Sequence, residues 1–371
     1  MTAARTGIFL MVLMAASVTA AATENPDWLT IFDEQFADNP LQRFQTRPVL
    51  GPGVWPTNLE GSGQYDAARH AYSLGGRLSL VRPVRAGAHV ELSLALRFEP
   101  PSTDAPPDLE TDLTFLLVDG TMAGIQVQRS KQSDVPSVVR FVQDQPGQAR
   151  TKVLREIQMP GAPPDGVWVL RYRHGLLTLV QGTETVGKAD IAHLGVSVAG
   201  VSWSQKGGLV ACEQMTLKGE PFRELAAADQ ETLQRASQLN AEAQILFRDK
   251  KSADALPIME EASALYLKVH GENHHDSANS FANLASVFGS IGKGDEAGKF
   301  WAKALAIHEA TLGPTHPHTT LTRFNFGKNF LERGDKAKAK ELWTRCRDDW
   351  TAVFGPDYPI VRSLDSILPN L

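Results

Sequence analysis

The chain has 371 residues, more than one ordinary domain needs and enough for two hydrophobic cores. Hydrophobic residues make up 42% and charged residues 21%, the balance of a folded globular protein rather than a disordered or fibrous one. The formal net charge is −5 and no segment carries a basic stripe, which argues against a nucleic-acid partner and against attraction to an anionic membrane.

The first segment reads as a targeting signal over residues 1–22. Arg5 supplies a positive start, Gly7–Ala16 is an unbroken apolar run, and Ser17–Ala22 offers the small residues a signal peptidase requires. The run is short for a bilayer span, so cleavage is expected over an uncleaved anchor. With no second apolar run of spanning length, an exported protein, periplasmic or extracellular, is the expectation, with no transmembrane span in the mature chain. Cys212 and Cys346 fall in different predicted domains, so they are expected to be buried or free thiols rather than a disulfide.

Residues 24–222 read as β structure. Short stretches alternate apolar and polar residues, as in His89–Phe98, Leu113–Val118, Ser137–Val142, Val167–Tyr172 and Leu176–Val180. Gly, Pro and Asp clusters separate them, at Pro100–Asp108, Asp144–Gly147 and Pro160–Gly166. A dozen or so short strands without helical periodicity predict a sandwich or jelly roll. Phe32–Phe44, Gln64–Asp66, the Trp168–Leu179 hairpin pattern and Met215–Gly219 together resemble concanavalin-like and laminin-G-type jelly rolls. The resemblance implies binding of a glycan or protein, or glycosidase activity. Trp55, Tyr65, Tyr72 and Trp203 are the aromatic candidates for stacking on a sugar. The glucanases of this fold carry E-x-D-x-x-E, and Glu110-Thr-Asp112 begins that pattern. Phe115 stands where the second Glu is needed, so no catalytic residue is expected. Asp66 and Asp119 are conceivable Ca²⁺ ligands, but no ligand series surrounds them.

After a short linker at Lys218–Arg223, residues 226–371 change character. Ala, Leu, Glu and Lys take over, and apolar positions recur at helical spacing, as in Leu239, Ala243, Leu246 and Phe247. Gly271, Gly313 and Gly355 are spaced by 42 residues each. The same shift superposes Ala243, Ala285 and Gly327. It also superposes Ala255, Ala297 and Ala339, then Met259, Trp301 and Trp343, then Ala262, Ala304 and Cys346, and finally Leu246, Phe288 and Phe330. Small residues let paired helices approach closely, and the bulky ones fill the space toward the next hairpin. Gly292 and Gly334 permit the turn inside a hairpin, and Pro317 and Pro359 stand where proline is tolerated at a helix start. The units run over about 229–270, 271–312 and 313–354, with a cap at 355–371.

Gly313-Pro-Thr-His316-Pro317, Ala282-Asn-Leu-Ala285 and Phe324-Asn-Phe-Gly327 resemble the tetratricopeptide repeats of kinesin light chains. The resemblance implies a curved stack whose first helices line a hollow, with recurring Asn side chains that bond an extended peptide. By register Asn283 and Asn325 take that role, Asn240 lies one position off it, and Gln244, Arg248, Ser286 and Lys328 share the face. Glu242 replaces the usual Leu, so the first unit is degenerate. Three hairpins are near the minimum for a stable stack, so packing on the β domain or self-association is expected. His274, His275, His316 and His318 gather in two loops. His274 and His316 fill the same repeat slot, and only Asp276 stands near, so neither a metal nor another cofactor is expected. No nucleotide loop, nucleophile elbow or zincin helix occurs. The whole therefore reads as a non-catalytic scaffold for a protein or peptide, with a carbohydrate-binding or glycosidase-like protein as the alternative.

Overall fold

The computed structural model describes residues 29–34, 60–66, 71–98, 108–130, 135–145, 151–161, 163–192 and 195–371. The expected leader at 1–22 and Trp55 lie outside the described residues. No helix among them is long and apolar enough to cross a membrane.

The N-terminal part is an antiparallel β-sheet that curls into a nearly closed sandwich. Its strands are β1 (Leu29–Glu34), β2 (Glu60–Asp66), β3 (Ala71–Phe98), β4 (Asp108–Leu117), β5 (Met122–Ser130) and β6 (Ser137–Asp144). They continue with β7 (Lys152–Met159), β8 (Gly166–Arg173), β9 (Leu176–Gln181), β10 (Glu184–Asp190) and β11 (Val198–Pro221). The main path is β10-β9-β8-β3-β11-β4-β5-β6-β7, with β1 beside β11 and β2 beside β3. The two ends of this path meet. Arg155 on β7 donates to the Lys188 carbonyl on β10 at 3.2 Å. A Cβ on Gly187 would stand 2.2 Å from Ile157 Cδ1, so glycine lets β10 lie against β7 without displacing that side chain.

Two long strands do the curling. Along β11 the partners in β3 fall from Ala86 to Tyr72 as β11 rises from Val198 to Cys212. They fall again from Phe98 to Ala86 as it rises from Val210 to Pro221, so both ladders are antiparallel. Residues 210–212 thus pair with both halves of β3, which wraps around β11. The alternation read from the sequence supplies the core. Val90, Leu92, Leu94 and Leu96 of β3 point inward, as do Leu113, Phe115 and Leu117 of β4 and Trp168, Leu170 and Tyr172 of β8. Such large side chains stabilise by roughly 1.5–3 kcal/mol each when fully buried.

The C-terminal part is seven helices: α1 (Ala227–Arg248), α2 (Ser252–His270), α3 (His275–Ser290), α4 (Gly294–Thr311), α5 (Pro317–Glu332), α6 (Lys336–Phe354) and α7 (Pro359–Ile367). The superposed small residues Ala243, Ala285, Ala255, Ala297 and Ala339 have no exposed surface, as close helix packing demands. Gly271, Gly313 and Gly355 have φ of +76°, +96° and +88°, a left-handed turn that glycine enters without the Cβ penalty. His274 and His316 each accept the backbone N–H two residues on through Nδ1, at 3.2 Å, and so cap α3 and α5.

The loop edge of the helical stack rests on the sandwich. Arg173 on β8 donates to the carbonyls of Ala310 and Thr311 at the end of α4, at 3.3 and 2.8 Å. Arg155 donates to the carbonyls of Ala352 and Val353 at the end of α6. Those carbonyl pairs occupy the same slot in successive repeats. Lys188 donates to Thr315 Oγ1 at 3.1 Å, and His316 Nε2 is 3.2 Å from the His174 carbonyl oxygen.

Candidate functional site

The first helix of each hairpin, α1, α3 and α5, carries the residues expected to line the hollow. Asn283 Nδ2 donates to Asn240 Oδ1 at 2.9 Å, so the residue one position off register is drawn into the row. Asn240, Asn283 and Asn325 are each half-buried, while Gln244, Arg248 and Lys328 are exposed. Lys328 lies 3.5 Å from Glu332 one turn on. Ser286 Oγ donates to its own helix at the Ala282 carbonyl, 3.0 Å away, which ties that hydroxyl to the backbone. An amide can donate two hydrogen bonds and accept two, so the Asn240–Asn283 pair keeps donors and acceptors for a backbone laid across it.

The sandwich offers less than the sequence promised. Trp203 is 1% exposed and belongs to the β core, so it is no platform for a sugar. The alternating pattern that makes β11 a strand turns position 203 inward. Tyr65 and Tyr72 are backbone partners in the β2–β3 ladder. Phe115 is fully buried with its ring 5.9 Å from that of Tyr172, so the core occupies the place of the second glutamate. Asp119 accepts the Thr121 N–H at 2.9 Å and shapes the β4–β5 turn. Cys212 and Cys346 are buried in separate cores. Burial pushes the Cys346 thiol up to about 12, far from a reactive thiolate.

The histidines form the other concentration of chemistry. His174 from the sandwich approaches His275 from α3, with ring centroids 4.7 Å apart, and the His89 ring stands 6.5 Å from that of His174. His308 bridges α3 and α5, with Nδ1 2.9 Å from Thr322 Oγ1 and Nε2 3.3 Å from the His275 carbonyl oxygen. Burial holds His316 down at about 3 and His308 at about 4, with neighbouring imidazoles adding to the effect. His270, which the sequence reading passed over, stacks on His274 at 4.0 Å with the rings 5° from parallel. Its signal was in the repeat: the equivalent positions hold Leu312 and Phe354.

The helical region is built of tetratricopeptide repeats. The tetratricopeptide repeat family model matches residues 234–297 and 283–348. Repeats of this class bind protein or peptide partners, and the fold is generally non-catalytic. The clustered mitochondria protein homologue of Debaryomyces hansenii is 26% identical over 118 residues, 32% of this chain and 9% of its own length. The chain thus spans about a tenth of the length of the curated relatives it matches. The Podosopora anserina kinesin light chain with nearly identical TPR-like repeats is 18% identical, with a TM-score of 0.35 over 37% of this chain and 65% of that one. The Yersinia enterocolitica type III secretion chaperone SycD, solved with a peptide of the translocator YopD, is 16% identical. Its TM-score is 0.27 over 36% of this chain and 86% of that one. The expectation of export is corrected by these relatives. The curated ones are clustered mitochondria proteins, named for an intracellular organelle and not for a secreted product.

Proposed function

We propose that this protein is a non-catalytic interaction module that holds a peptide or an extended protein segment in the hollow of its tetratricopeptide stack. The Asn240–Asn283 amide pair carries the reading, because it is half-exposed, joins two first helices, and suits a peptide backbone in polarity. Asn325 continues the row on α5. Gln244, Arg248, Ser286 and Lys328 supply a mixed rim that selects side chains without one dominant charge. The sandwich serves as the base that fixes the stack.

The test is a displayed library of random peptides selected on the full chain. Peptides so obtained should lose about tenfold or more in affinity for an Asn283→Ala/Asn325→Ala variant, the loss of one or two hydrogen bonds at a partly buried site. Circular dichroism would confirm that the variant keeps its helices. Equal affinity for both proteins would place the binding surface elsewhere.

A further inference from the structure

Three donor residues meet at the junction of the first two hairpins. His270 ends α2, His274 caps α3, and Asp276 lies in the first turn of α3. One ligand atom from each lies within 4.8 Å of the other two. Asp276 Oδ2 is 3.4 Å from His270 Nε2 and 3.7 Å from His274 Nδ1. An ion about 2.0–2.1 Å from each of two tetrahedral ligands sets those ligands about 3.4 Å apart, so the two separations from Asp276 are near coordination length, and one of the two stacked imidazoles turns about its Cβ–Cγ bond to bring both lone pairs onto one ion.

The repeat shows what the fold itself requires here. In the next loop His316 caps α5 just as His274 caps α3, with Leu312, Pro317 and His318 in place of His270, His275 and Asp276. Leu312 is 1% exposed and packs as an apolar residue should. The third loop uses Phe354, Tyr358, Pro359 and Ile360. A capping histidine is therefore part of the loop, but the second imidazole and the carboxylate are additions to the first loop alone. A first-turn aspartate has a bland explanation in the helix dipole. An imidazole in the slot of a buried leucine adds a nitrogen beside that carboxylate which the sister loops do without.

We infer that His270, His274 and Asp276 form a binding site for a divalent transition-metal ion of the imidazole-preferring kind, with zinc as the reference ion. Two imidazoles and one carboxylate are a donor set such ions accept, leaving a position for water. His274 Nδ1 must carry a lone pair, because it accepts the Asp276 N–H, and the ion competes there with one long hydrogen bond. Asp276 and His274 are each about a third exposed, which leaves a way in. Bound there, the ion staples the degenerate first hairpin to the second.

Calorimetric titration of the tag-free full chain with zinc tests the site. One ion per chain is expected. Affinity should fall at least about tenfold in Asp276→Asn and in His270→Leu, which installs the residue of the sister loop, and stay unchanged in Glu272→Gln. Cobalt added to the wild-type chain should broaden the ring signals of His270 and His274 before those of any other histidine, a readout that needs no variant. No zinc uptake at millimolar concentration, uptake equal in both ligand variants, or broadening that begins at other histidines would overturn the assignment.

Discussion

Arg323 is 1% exposed, and the fold surrounds its guanidinium with acceptors from three elements. It donates to Asp349 Oδ2 at 2.7 Å, to Glu309 Oε1 at 2.8 Å and to the Pro314 carbonyl at 2.9 Å. Burial raises the pKa of Asp349 and the guanidinium opposes that rise. Removing one partner of a buried pair leaves the other charge uncompensated. Asp349→Ala should therefore cost about 3–5 kcal/mol in urea denaturation. Glu309→Ala should cost under about 1 kcal/mol, because the Glu309 carboxylate is 35% exposed and water screens its pair. Gly327 makes a second residue-level case. A Cβ there would stand 2.6 Å from the Trp343 indole nitrogen, which donates to the Phe324 carbonyl at 2.9 Å. Gly327→Ala must push that ring, and a loss of about 1–3 kcal/mol is expected despite the better helix propensity of alanine. The repeat alignment placed a small residue at 327 and a bulky one at 343. It could not show that the third unit needs glycine where the first two accept alanine.

The helices supply the next scale. Each second helix ends with carbonyls that have no partner inside the helix, and the sandwich satisfies two such ends with arginines. Arg173 serves α4 and Arg155 serves α6, one repeat apart. A cation at a helix C-terminus also meets the negative end of the macrodipole, a term of roughly 0.3–1 kcal/mol that partial burial enlarges. Burial lowers the pKa of both guanidiniums, but arginine stays charged at any working pH. Arg173→Ala and Arg155→Ala should each weaken docking by about 1–3 kcal/mol, and the double variant should release the stack. Limited proteolysis at residues 222–226, between β11 and α1, checks this: faster cleavage is expected without loss of helical circular dichroism. Strand positions were legible as alternation and helix positions as the period of 42. Arg155 and Arg173 were not, because an arginine on a strand reads as an exposed polar residue until another element arrives above it.

At the scale of the molecule, the contact between sandwich and stack is lined with histidines. His316 faces His318, Arg173 and His308, and its Nε2 meets the His174 carbonyl. Folded-state values of about 3 for His316 and about 4 for His308 lie below the ordinary imidazole value near 6.5. The unfolded or undocked chain therefore binds protons that the docked one refuses. Stability contributed by these groups is full above about pH 6.5 and falls as pH drops toward 4, by up to about 1.4 kcal/mol per pH unit for each histidine. Thermal unfolding followed at pH 7.5, 6 and 4.5 should show a falling midpoint, and His316→Asn, which keeps a capping side chain without the titration, should flatten the decline. A midpoint that does not fall with acid would show that the interface tolerates charged imidazoles.

The sequence by itself determined the sandwich, the helical stack and the repeat unit, because alternation, period and small-residue spacing are local consequences of how strands and helices bury one face. It also set Asn283 and Asn325 at equivalent places on neighbouring first helices, since they lie 42 residues apart. Only the tertiary structure decided what depends on distant segments meeting. The pairing of β11 with both halves of β3 closed the sheet over the face that carries Trp203. The left-handed turn at Gly271 brought His270 over His274, and the docking of the loop edge gathered histidines from both domains. Those contacts join residues far apart in the chain or across a turn, and no period in the sequence records them.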